Sequence, residues 1–151
     1  MLPPPSLEQI IPELRDAVGP VILISGVGLL LLTMTNRLGR CIDRARQLKH
    51  ELARLAGPER TAVESQVQII YRRAKIIRQS ILCAVTSALL AAVLVVVLFL
   101  AAWFQFHAAV FAAVIFIACL LALCASLVAF ILDINIALQA LKLELETPAK
   151  K

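Results

Sequence analysis

Residues 36–80 read NRLGRCIDRARQLKHELARLAGPERTAVESQVQIIYRRAKIIRQS, and their spacing decides the fold. Leu38, Cys41, Ala45, Leu48, Leu52 and Leu55 alternate at intervals of three and four. Val63, Val67, Ile70, Ala74, Ile77 and Ile81 do the same further on. Each stripe is the a/d seam of a coiled coil, and each needs a partner stripe. Gly57-Pro58 is the one strong breaker between them, so the nearest partner is the other arm. The stretch therefore predicts an antiparallel helical hairpin, with a long apolar segment on either side.

Working outward, the chain has 151 residues, of which 61% are hydrophobic, and a mean hydropathy of +0.90. Soluble domains of this length average about 45–50% apolar. The excess falls in three runs, which points to an integral membrane protein. Residues 17–35 form the first, long enough to cross a hydrocarbon core of roughly 30 Å. Residues 81–104 and 108–132 form the second and third. The expected fold is all-α: three transmembrane helices, an outer amphipathic head (1–16), a cytoplasmic hairpin (36–80) and a cytoplasmic amphipathic tail (133–151).

The head opens on Pro3-Pro4-Pro5, and Ser6 with Gln9 has capping-box spacing. Leu7, Ile10, Ile11, Leu14 and Val18 follow helical spacing, as in a helix lying at a membrane surface. Pro12 lies within it, which predicts a kink or an early stop. Pro20 falls in the first turn of the first span, where a missing N–H costs least. No cleavable signal peptide is expected before that span.

Eleven of the fifteen Lys and Arg residues lie between Arg37 and Arg78. A basic loop between spans stays in the cytoplasm. The N-terminal head and the Gln105-Phe106-His107 turn are then outside and the C-terminus inside. Arg72, Arg73 and Lys75 cluster before the second span and suit anionic headgroups, at about 1 kcal/mol each. Nucleic acid is not expected as a partner: Asp43, Glu51, Glu59 and Glu64 interrupt the basic residues, and Tyr71 is the segment's one aromatic.

The first span differs from the others in its small and polar residues. Gly19, Ile22, Gly26, Leu29, Thr33 and Asn36 share one face, with Ser25 close by. Small residues let helices approach closely in lipid, so the face reads as a helix–helix interface. The alternative is a pore lining that includes Ser25, Thr33 and Asn36. At the cytoplasmic ends of the spans, Asp133 meets a set of arginines. A carboxylate at the edge of hydrocarbon is costly unless paired. Asp133 is expected to pair with Arg78, Arg37 or Arg40, as a structural clamp or as a charged ring at a pore mouth.

Little else suggests chemistry. Cys41, Cys83, Cys119 and Cys124 show no C-x-x-C spacing and read as buried small hydrophobes. His107 outside is a candidate pH sensor or a plain turn residue, and His50 lies on the hairpin. No catalytic set, metal site or cofactor motif is present, so an enzyme is not expected. Three functional readings follow: a homo-oligomer that forms an ion-conducting pore, an accessory or scaffold subunit bound to another membrane protein, and a lipid-sensing protein.

Thr35-Asn36-Arg37 after a Gly-rich first span resembles the signature of an uncharacterised bacterial family of small integral membrane proteins, known as a domain of unknown function. The basic hairpin, the Arg72-Arg73 pair before the second span and the short turn into the third also resemble it. The resemblance covers roughly residues 10 to 146. It implies three spans and a bacterial inner-membrane location. It carries over no activity and no functional residues.

Overall fold

A computed structural model describes residues 7–54, 56–104 and 108–146. The Pro3-Pro4-Pro5 entry, the Gln105-Phe106-His107 turn and the end from Thr147 lie outside them. The described residues form three α-helices: α1 (Leu7–Leu52), α2 (Pro58–Phe104) and α3 (Ala109–Glu146). All three are long and apolar enough to cross a membrane. This is an all-helical, multi-pass membrane protein.

α1 runs unbroken through Pro12, Pro20 and Gly39. The stop expected at Pro12 does not occur, and Pro20 lies well inside the helix rather than in a first turn. Each proline removes one backbone bond to the residue four before it. At Pro20, inside the apolar segment, any other backbone path would leave more groups unsatisfied in hydrocarbon, so helix continuation wins. The helix ends at Leu52, a few residues before the breaker. Ala53 N–H donates to Lys49 O at 3.3 Å, and Arg54 N–H donates to Glu51 O at 2.9 Å, which tightens the last turn. Gly57 then takes φ +72°, where a Cβ would be strained. Pro58 opens α2 at a position whose N–H needs no helical partner.

Residues pack as two compact units, and each helix contributes to both: Met1–Leu31 with Cys83–Ala125, and Leu32–Leu82 with Ser126–Lys151. The first buries Ala17 and Val27 of α1, Ala84, Ala91 and Leu94 of α2, and Ile115 and Cys119 of α3. The second buries Met34, Leu48, Ile77, Ser80, Ser126 and Asp133.

Along each helix the buried positions recur every seven residues. On α1 they include Val27, Met34 and Leu48, with half-buried Cys41 filling the interval. On α2, Ser80, Ser87 and Leu94 form one row and Ile77, Ala84 and Ala91 another. On α3 the row is Cys119, Ser126 and Asp133. The expected seam residues of the two arms are buried at Leu48 and Ile77 and half-buried elsewhere, with Leu55 undescribed. At the top of α2 the seam passes through Ser80, fully buried, rather than Ile81, half-buried.

Outside these rows the apolar segments present bare hydrocarbon. Ile22 and Leu29 on α1, Leu89 on α2, and Val110 and Leu121 on α3 are each at least 63% exposed. A soluble protein rarely leaves such continuous apolar surface, whereas lipid solvates it at no cost.

Candidate functional site

The buried rows of α2 and α3 carry small polar side chains. Ser80 Oγ donates to Ser126 O at 2.7 Å, and Ser126 Oγ donates to Ser80 O at 2.8 Å. The bond is reciprocal, and only short side chains allow each hydroxyl to reach the opposite backbone. Met34 Sδ of α1 lies 3.5 Å from Ser80 Oγ. In the other unit, Cys119 Sγ donates to Ser87 O at 3.2 Å and lies 3.4 Å from Ser87 Oγ. These groups satisfy one another inside the protein, as buried polar groups must where no water reaches.

One heptad below Ser126 lies Asp133, with no exposed surface. Its Oδ2 sits 3.0 Å from Arg37 Nη2 on α1, and its Oδ1 accepts from Arg73 Nε on α2 at 3.5 Å. The Arg37 contact is short but off-axis, so Oδ2 gains ion-pair attraction without a directed hydrogen bond. The Arg37 guanidinium also lies over the Phe130 ring, 5.2 Å from its centroid. One carboxylate thus ties all three helices, through two arginine side chains that are 23% and 21% exposed. The chain belongs to the DUF2721 family of proteins of unknown function. The family model matches residues 17–143, which takes in every element of this cluster. No curated protein and no solved structure matches the chain. Membership in the family assigns no activity, so the site must be read from its own chemistry.

Of the three arginines expected at Asp133, the structure places Arg37 there. Arg78 and Arg40 are exposed. Arg73, expected at lipid headgroups with Arg72 and Lys75, takes the place of Arg78. The reason is helical phase: Arg73 is seven residues before Ser80 and four before Ile77, on the buried row, whereas Arg78 is rotated by about 100° from Ile77. Arg72 and Lys75 are exposed.

The small face of α1 lies on the other side of that helix. Gly19, Ser25, Gly26, Thr33 and Asn36 are all exposed, and a Cβ added at Gly19 or Gly26 would meet nothing within 4 Å. Ser25 Oγ donates to Val21 O at 3.3 Å and, nearby, Thr35 Oγ1 donates to Leu32 O at 3.1 Å. Among the described residues, this face is left exposed.

The sequence reading overlooked the serine layers. Their signal was present, in the seven-residue interval from Ser80 to Ser87 and from Cys119 through Ser126 to Asp133. Among the four free cysteines, Cys119 is buried as expected, Cys41 and Cys83 are half-buried and Cys124 is exposed. No group of three metal-ligating side chains occurs among the described residues.

Proposed function

We propose that the protein is a non-catalytic, homo-oligomeric component of the bacterial inner membrane, assembled through the outward face of α1, and that the assembly is an ion-conducting pore lined by that helix. The observation that carries this reading is the segregation of α1 into two faces. Its apolar row packs against its own chain, and its small and polar face is left bare. Small residues in lipid bring backbones close, and a face that no intrachain helix occupies is available to a second copy. In this reading Gly19 and Gly26 set the closeness of approach, and Thr33 and Asn36 line the path at its cytoplasmic end.

The arms of α1 and α2 form an antiparallel coiled coil in the cytoplasm, supported by the buried seam and the concentration of basic residues there. The N-terminus is then outside and the C-terminus inside. Anionic headgroups meet the exposed Arg72 and Lys75.

A second reading is that α1 docks on a different membrane protein, with this chain as accessory subunit. The hydroxyls of Ser25 and Thr35 favour it, because they already bond to carbonyls of their own helix and need no water.

Native mass spectrometry of the gently solubilised protein tests both. A discrete homo-oligomer that conducts ions in liposomes, with flux altered by Thr33→Val and Asn36→Leu, is the expected result. A monomer, or a fixed complex with another protein, would replace the pore reading with the accessory one. A folded oligomer that carries no flux would leave self-association and remove the pore.

A further inference from the structure

Among the described residues, the charges at Asp133 do not balance. One carboxylate faces two guanidiniums, so a positive charge is left over in a place where about four-fifths of each arginine side chain is buried. Each guanidinium has five N–H donors. Arg73 gives one to Asp133 Oδ1, and Arg37 makes a close but poorly directed contact with Oδ2. Phe130 covers one face of Arg37, which leaves the guanidinium edges as its polar outlet. An uncompensated charge in such surroundings favours a counter-anion.

Position narrows the chemistry of that anion. Arg37 lies two residues beyond the apolar segment 17–35, Asp133 directly follows 108–132, and Arg73 precedes 81–104 by about two turns. This is where apolar helix gives way to charged helix and where a bilayer carries its phosphates. Paired guanidiniums match phosphate oxygens in charge and in planar donor geometry.

We propose that Arg37 and Arg73 together bind one phosphate group, from an anionic lipid headgroup or from solution, with the donors that Asp133 leaves unused. The site is stoichiometric and distinct from the diffuse attraction of Arg72 and Lys75. It does not depend on self-association, because every residue in it comes from one chain.

The test is native mass spectrometry of the full-length chain in detergent, titrated with phosphatidylglycerol, phosphatidylcholine or inorganic phosphate. One phosphatidylglycerol per chain should be retained more tightly than phosphatidylcholine. Arg73→Gln should weaken it by about tenfold or more, the loss of one charge-assisted contact. Arg72→Gln, which removes only diffuse attraction, should weaken it far less than Arg73→Gln does. Asp133→Asn removes the competing carboxylate and should tighten it. Competition by inorganic phosphate at the same site would assign the group to solution rather than lipid, within the same proposal. Equal losses for Arg72→Gln and Arg73→Gln would overturn the site, and so would unchanged or weaker binding by folded Asp133→Asn. Arg73→Lys, which keeps the charge and loses the planar fork, replaces Arg73→Gln if that variant does not stay helical. No weakening by the lysine variant would likewise overturn it.

Discussion

At the scale of single residues, Asp133 is the position with most at stake. Removing its charge leaves Arg37 and Arg73 facing each other in a mostly buried site. Breaking a fully buried pair costs about 3–5 kcal/mol, and residual solvent at the arginines reduces this to about 2 kcal/mol. Asp133→Asn should therefore melt lower in detergent by about 4–8 °C, at roughly 2–4 °C per kcal/mol for a chain of this size. Unchanged melting would mean that the carboxylate does not hold the helices. Ser80 and Ser126 make a second test. Interhelical hydrogen bonds in membranes average about 0.6 kcal/mol by double-mutant cycle, so Ser80→Ala and Ser126→Ala should each cost little. Ser80→Leu should cost more, about 1–3 kcal/mol, because it forces apart helices that now touch backbone to hydroxyl. That Asp133 needed a partner was legible from a lone carboxylate at the end of an apolar run. Arg37 was among the partners expected, but Arg73 was not, because neighbouring arginines differ only in rotation, and Ser80 sets the phase of α2.

At the scale of elements, the turn between α1 and α2 rests on Gly57. A side chain there meets open space, so the cost of Gly57→Ala is conformational alone, about 1–2 kcal/mol for a left-handed backbone. Thermal melting should show that modest loss, while Gly39→Ala, inside a helix with room for a methyl, should stabilise by up to about 1 kcal/mol. A lower melting point for Gly39→Ala would show that its face is already occupied. The three apolar spans and the breaker at Gly57-Pro58 could be read from spacing. The helix through Pro12 could not, because a proline inside a helical pattern argues locally for a kink or a stop.

At the scale of the whole molecule, the proposed assembly through the outward face of α1 is separable from folding. Gly26→Leu adds bulk where the chain has no neighbour, so it should leave monomer stability unchanged and disperse a homo-oligomer on native mass spectrometry. If the oligomer persists, association runs through another surface. Orientation is open to a direct check. In the proposed orientation, and with the four cysteines replaced, Gln47→Cys should react with a membrane-impermeant maleimide only after the membrane of intact cells is permeabilised. Labelling from outside would invert the topology. The first span's small residues were legible as a distinct face, but not which way they point, because a pattern that suits tight packing also suits exposure to a second molecule. Burial of the opposite row decides it.

The seven-residue interval of the buried rows gives the protein a ruler. Adding seven residues to the outward arm between Leu38 and Leu48, and seven to the return arm between Val63 and Ile77, would return every later side chain to its former heading. In the proposed hairpin the turn would then stand about 10 Å further from the bilayer. Adding three or four would swing the rest of each arm off its row, as a stutter does. Chains built on this plan can therefore differ in reach by fixed increments while the clamp at Asp133 stays where it is.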